Sequence, residues 1–165
     1  MINIIDNYLP EQTYHNIRNQ MLAFNFPWFS SKIVNDSPQN YKRNVQMIHM
    51  FYTNHAPQTD HLEIIYPVLD KIQPLSIIKI KANFMTGTDR IIEHGLHNDI
   101  TEAEDRPYIK TSIYYLNTCD GYTMFEDGTK VESVGNRFVE FPNSMRHTGT
   151  STTDEYRMVL NLNYV

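Results

Sequence analysis

The chain is poor in several things, and each shortage excludes something. Cys119 is its only cysteine, so no intrachain disulfide can form and a reducing compartment is expected. No stretch approaches the roughly 20 apolar residues that span a bilayer. The opening Met1-Ile2-Asn3-Ile4-Ile5-Asp6 has neither a basic start nor a long apolar run, so no signal peptide is expected. There is no excess of positive charge either. A formal net charge of −5 provides no basic footprint of the kind nucleic-acid binders carry, although a local basic patch stays open. These absences point to a soluble, cytoplasmic protein without membrane or nucleic-acid partners.

What is present is the composition of an ordinary globular domain: 165 residues, 41% hydrophobic and 12% aromatic, with 11 tyrosines. That length suits one domain and buries about two thirds of the unfolded surface. Residues 1–75 read as helical and lid support, and 76–165 as a β-rich core.

In the first part, Tyr14, Ile17, Met21 and Phe24 recur at helical spacing, predicting a helix from Pro10 to about Phe24 whose stripe packs on the core. Pro27-Trp28-Phe29 ends it. The polar run Ser30 to Arg43 then reads as a long loop, either a mobile surface segment or a lid. Val45 to Tyr52 is apolar enough for a strand, with His49 inside it as a structural histidine. A second helix is expected from about Thr59 to Ile72, capped by Thr59 or Asp60, with Pro67 kinking it or moving its boundary.

From Ser76 the pattern turns to β. Ile78, Ile80, Ala82 and Phe84 alternate with Lys79, Lys81 and Asn83, so the polar set faces either a charged pocket or solvent. Tyr108 to Asn117, Tyr122 to Phe125, Arg137 to Phe141 and Arg157 to Tyr164 read as further strands. Asp120-Gly121 and Asp127-Gly128 are turns, and the acidic run Thr101 to Arg106 is a solvated loop. Short strands with turn signals between them indicate a jelly roll or barrel.

One constellation carries chemistry. In Glu93-His94-Gly95-Leu96-His97-Asn98-Asp99, a β conformation would put His97 and Asp99 on one side and Asn98 on the other. Two imidazoles and a carboxylate make the facial triad of non-haem Fe(II) oxygenases, and His147, after the strand ending at Phe141, can supply the third ligand. His94 is out of phase with the pair and reads as a supporting or structural residue. Ten residues beyond His147 comes Arg157. Its planar fork would match the far carboxylate of a dicarboxylate whose other end chelates the metal. Asn161, four residues on and on the same strand face, would line the pocket floor.

These residues also carry a resemblance. With Lys79–Phe84, Ser112–Thr118, Gly121–Gly128, Val134–Arg137 and His147–Thr150, the chain resembles the 2-oxoglutarate- and Fe(II)-dependent dioxygenases of the prolyl-4-hydroxylase type, close to short bacteriophage and marine bacterial members. The resemblance runs from about Val45 to Val165. It implies a double-stranded β-helix (jelly roll) with about two N-terminal helices packed outside. It further implies Fe(II) on His97, Asp99 and His147, with 2-oxoglutarate and O2 as co-substrates. The distal carboxylate of 2-oxoglutarate would reach Arg157 and Tyr115, with Asn83 nearby, and a loop or hairpin in the region of 30–43 would cover the site, making Trp28, Tyr41, Lys42 and Arg43 candidates for substrate contact. The implied reaction hydroxylates an unactivated C–H bond, with a prolyl residue or free proline as the leading substrate and succinate and CO2 as co-products. A nucleobase or small metabolite is the alternative substrate. A non-catalytic jelly-roll binding or virion protein is the alternative class. If phage-encoded, the protein would work in the host cytoplasm.

Overall fold

A computed structural model describes residues 1–33, 44–101 and 106–165. Its elements in chain order are β1 (Asn3–Ile5), α1 (Glu11–Met21), β2 (Phe29–Ser31), β3 (Gln46–Thr53), β4 (Ala56–Pro57), a 3₁₀ turn (Leu62–Ile65) and α2 (Tyr66–Ile72). They continue as β5 (Ile77–Thr86), β6 (Lys110–Tyr115), β7 (Tyr122–Phe125), β8 (Lys130–Glu132), β9 (Phe138–Pro142), β10 (His147–Gly149) and β11 (Tyr156–Tyr164). Eight strands form an antiparallel major sheet in the order β1-β9-β6-β11-β5-β3-β2, with β4 on β3. A minor sheet runs β10-β7-β8. Together they make the jelly roll expected from the strand spacing, with both helices on the outside.

The two-residue period of the strands sorts the core into two compartments. On the outer face of the major sheet Ile80, Ala82, Tyr114, Met158, Leu160 and Leu162 pack against Ile17 and Met21 of α1 and Ile65 and Val68 of the second helical segment. On the inner face Ile113, Tyr115, Val139, Phe141 and Val159 meet Phe125 and Val131 of the minor sheet. The polar residues of β5 therefore face the space between the sheets rather than solvent.

Both helices are shorter than their periodicity predicts. In α1, Pro10 stands just outside the first turn, and after Met21 the chain tightens into i→i+3 turns, Ala23 N–H to Gln20 and Phe26 N–H to Ala23. Asn25 and Phe26 lead into Pro27, and a residue before proline is pushed out of the helical region. Phe24 consequently projects into solvent, and Phe26 takes the core position expected of it. Pro67 does not kink the second helix but starts it. Lacking an N–H, it occupies the first turn of α2, where no donor is needed, and the preceding residues stay 3₁₀. Thr59 accepts a hydrogen bond from the His61 N–H upstream of that turn.

The N-terminal segment is tied to the core by Asn136. Its side-chain oxygen accepts from the Leu9 N–H at 2.9 Å and the Tyr114 hydroxyl at 2.8 Å, and its amide donates to the Leu9 carbonyl at 2.8 Å. Its backbone has φ 64°, a left-handed conformation that asparagine tolerates better than most residues. Asn136→Ala should therefore lower stability by about 3 kcal/mol, from unsatisfied buried groups plus the backbone penalty. Tyr114→Phe, which removes one of these bonds, should cost about 1 kcal/mol. Urea unfolding midpoints of the two variants check this order.

Candidate metal and dicarboxylate site

The segment around His97 is not a regular strand. It touches the minor sheet through two isolated antiparallel bridges, Glu93 with Thr150 and His97 with His147. At the second bridge each backbone N–H donates to the other residue's carbonyl, at 2.9 Å and 3.0 Å. This reciprocal pair sets the two imidazoles side by side, ring centroids 5.1 Å apart. Two residues on, Asp99 turns to the same side. Its Oδ1 lies 3.6 Å from His97 Nε2 and 3.9 Å from His147 Nε2, and the three ligand atoms lie within 4.8 Å of one another.

Hydrogen bonds fix which nitrogens are free. His97 Nδ1 donates to the Gly95 carbonyl at 2.9 Å, and His147 Nδ1 points at the Met145 carbonyl at 3.4 Å. A carbonyl can only accept, so a proton sits on Nδ1 and each ring in its neutral form offers its Nε2 lone pair to the centre. His147 is also wedged edge-on against Phe141. Burial tends to raise the Asp99 pKa, but His97, His147 and Lys79 outweigh it and hold the carboxylate ionised, well below the usual range. Asn163 donates to Asp99 Oδ2 at 3.2 Å and to Thr111 Oγ1 at 3.0 Å, while Lys79 donates to the Asp99 carbonyl at 3.1 Å. Two imidazole nitrogens and an ionised carboxylate converging from one side, each oriented from behind, suit an octahedral divalent ion with its other face open.

Asn98, between the two ligands, points away and donates to the Asn143 carbonyl at 2.7 Å. The Asn143 side chain in turn bonds both the N–H and the carbonyl of Ile100. This buckle holds the irregular ligand segment against the end of β9.

A cavity of about 70 Å³, partly open to solvent, runs from the triad to Arg157. The Arg157 guanidinium is buried, with Nε donating to Ser133 Oγ at 2.8 Å and Nη2 to Thr123 Oγ1 at 3.2 Å. It lies over the Tyr115 ring, 5.7 Å from the centroid. Among the described residues no carboxylate lies within ion-pairing distance of it. Two glycines make room for the side chain: a Cβ on Gly121 would stand 2.6 Å from Arg157 Cδ, and one on Gly149 3.3 Å from Nη1. A buried cation without a counter-ion is costly, and its neighbours leave one side facing the cavity.

The candidates read from the sequence fall out as follows. His97, Asp99, His147, Arg157, Asn83 and Asn161 all line the one cavity. Tyr115 does not line it. Its hydroxyl donates to Thr123 Oγ1 at 2.8 Å, one step behind the cavity wall that Thr123 forms. His94 is nearer the chemistry than its phase in the sequence suggests. It lines the cavity, its Nε2 lies 2.9 Å from the Asn44 amide, and burial followed by the nearby Arg157 charge pushes its pKa down to about 4. Trp28 is not a cavity residue. It packs on Phe26 and Phe84 in the outer core and donates to the Met21 carbonyl. Tyr41, Lys42 and Arg43 lie outside the described residues. His49 is structural, bonded to the Pro27 carbonyl at 2.7 Å and packed against Phe26 and Phe51. Thr123, Ser133, Asn143 and Asn163 were not singled out from the sequence. Only Asn163 carried a signal, being in phase with Arg157 and Asn161 on β11.

The sequence matches no protein-family model and no curated protein. Its fold matches solved structures over nearly its whole length. A prolyl hydroxylase from Trichoplax adhaerens, in complex with a hypoxia-inducible-factor peptide fragment, superposes with TM-score 0.72 at 15% identity, covering 99% of this chain and 82% of that one. A 2OG-Fe(II) oxygenase-family oxidoreductase from Burkholderia pseudomallei gives 0.70 at 16%, covering 99% and 84%. The viral collagen prolyl hydroxylase of Paramecium bursaria Chlorella virus 1, as its 2OG complex, gives 0.62 at 13%, covering 99% and 96%. The chain thus has the double-stranded β-helix fold of the 2-oxoglutarate oxygenases.

Alanine at His97, Asp99 or His147 should weaken Fe(II) or Co(II) binding by at least about 100-fold, and Asn163→Ala by about tenfold, since residues that orient ligands have the smaller effect. His49→Ala should keep the metal while losing about 2 kcal/mol of stability to the cavity it leaves. Competition with a coloured chelator reads the affinities. Loss of metal in His49→Ala would mean that another set of ligands operates.

Proposed function

We propose that this protein is an Fe(II)- and 2-oxoglutarate-dependent dioxygenase that hydroxylates an unactivated C–H bond. The observation that carries the reading is the presence in one cavity of a 2-His-1-carboxylate cluster and a buried arginine with no carboxylate partner among the described residues. A metal-binding protein of another kind has use for the first but not for the second, and an inert jelly roll has use for neither.

Bound by His97, Asp99 and His147, Fe(II) would supply activation of O2 coupled to oxidative decarboxylation of 2-oxoglutarate to succinate and CO2. The remaining tasks fall to the chain. Arg157, braced by Ser133 and Thr123, takes the distal carboxylate in a bidentate pair and fixes the co-substrate lengthwise. Tyr115 supports that grip from behind, through Thr123 and its ring face. Asn83 and Asn161 line the floor along which the co-substrate lies. Ile113, Val159 and Met85 exclude water from its methylene groups. His94, neutral and held by Asn44, stands beside the metal ligands without competing for the ion.

A prolyl residue or free proline is the substrate we favour. The support is the fold shared with prolyl hydroxylases described in complex with a peptide fragment and in a 2OG complex. The same fold also serves an α-ketoglutarate-dependent epimerase, SnoN of nogalamycin biosynthesis, so fold alone does not select the substrate. No described helix is long and apolar enough to cross a membrane.

Anaerobic titration of the Fe(II)-loaded protein with 2-oxoglutarate should bring up a weak visible charge-transfer band that Asp99→Ala abolishes. Arg157→Ala should move its appearance to about 100-fold higher 2-oxoglutarate, in keeping with loss of a buried charge pair. A fully metal-loaded protein with no band would exclude the chelate and this reading with it. Succinate release in the presence of proline-containing peptides or free proline then tests the substrate.

A further inference from the structure

Arg157 is not the only cation facing the cavity. Lys81 lies on the inner face of β5, largely withdrawn from solvent, and lines the same cavity as the metal triad. Among the described residues its ammonium makes no hydrogen bond and no ion pair. The obvious partner, Asp99, is already engaged: its Oδ1 faces both histidines, its Oδ2 takes Asn163, and its carbonyl takes Lys79 rather than Lys81. Directly across the strand pair from Lys81 stands Asn161, whose buried side-chain oxygen also lacks a hydrogen-bond partner. Among the described residues, a buried oxygen left unsatisfied opposite a partly buried, unpaired ammonium marks a place that a polar occupant completes.

Register shows which part of the cavity this is. On β11 Arg157, Val159, Asn161 and Asn163 share the inner face, and Asn163 holds the metal-ligating Asp99. Lys81, opposite Asn161, is therefore beside the metal end. Arg157, four residues away along the strand and so about 13 Å off at the backbone, forms the other end. Only Asp99 among the described cavity residues carries negative charge against these two cations, and a divalent metal adds to the excess. An occupant bringing two negative charges, one at each end, matches this arrangement.

We propose that Lys81 is a second carboxylate anchor, holding the carboxylate next to the 2-oxo group of the same dicarboxylate whose distal end Arg157 holds. The inference rests on the 2-oxoglutarate reading and deepens it. Lys81 here is a binding residue that makes the site selective for a 2-oxo diacid over an acid with one carboxylate, before any metal contributes. Burial, then Lys79, push the Lys81 pKa down in the absence of such a partner, and a carboxylate beside it would stabilise the charged form.

The test compares 2-oxoglutarate with 4-oxopentanoate, which keeps the distal carboxylate and the ketone but has a methyl group in place of the proximal carboxylate. In calorimetric titrations of the metal-free protein, 2-oxoglutarate should bind at least tenfold more tightly. Lys81→Met should remove that preference while leaving 4-oxopentanoate affinity within about twofold, whereas Arg157→Met should weaken both. Ligand-free Lys81→Met should also unfold at higher urea than wild type, because an unpaired ammonium is costly to withdraw from water. Lys81→Gln, which keeps a polar group, should lose the preference too.

A preference that survives in Lys81→Met and Lys81→Gln would overturn the assignment, as would metal-free wild-type protein that does not bind 2-oxoglutarate. Neither result would touch the reading of the metal site, which depends on the Fe(II) charge-transfer band.

Discussion

The reciprocal backbone pair between His97 and His147 is the constraint on which the site depends. The His97 segment has no ladder of its own, so these two hydrogen bonds, at 2.9 Å and 3.0 Å, place the His97 ring beside that of His147. Neither imidazole could be aimed by side-chain packing alone. His147 has aromatic neighbours, but His97 is held chiefly by its backbone and by the Gly95 carbonyl. The Asn143 buckle fixes the following turn, and Asn163 fixes the carboxylate. Three ligands from an irregular segment and a short strand thereby acquire the rigidity of a regular sheet.

The major sheet explains how so polar a cavity survives in a small domain. Its outer face carries the main apolar compartment with both helices, which stabilises the strands independently of the site. That frees the inner face to hold Lys81, Asn83, Arg157, Asn161 and Asn163, residues that would not build a core. The apolar cluster of Ile113, Tyr115, Val139 and Phe141 with the minor sheet closes the rest. The buried Arg157 cation opposes folding when nothing negative faces it, so an anion that pairs with it would stabilise the native state by mass action. Likeness of fold at 11–16% identity is what such a division of labour permits: the outer compartment needs only apolar residues of suitable size, while a handful of inner positions bear the chemistry.

Much of this was legible in the chain. Strand alternation and turn dipeptides marked the jelly roll, and the His-x-Asp pair, the distant histidine and the arginine ten residues beyond marked the cavity residues. The helix boundaries were not legible, because what ends α1 at Met21 is the pair of tight turns leading into Pro27, which carries Phe26 rather than Phe24 into the core. Pro67 could be read as a kink or a start, and the choice depended on how the preceding residues pack. Tyr115 meets the cavity through Thr123 for a related reason. A pattern identifies the strand that borders a pocket, but not which atom reaches the wall.

The sequence by itself determined the periodicities, the donor types and their order, because those are properties of neighbouring residues and of side-chain chemistry. Only the tertiary structure decided which faces meet. It turned Lys81 and Asn83 inward and brought His94 to the cavity that His97, Asp99 and His147 line. It left Arg157 buried without a carboxylate among the described residues, and it set Asn163 behind Asp99 across 64 positions of chain. Those outcomes follow from strand register and the approach of two sheets, and a linear pattern carries no term for either.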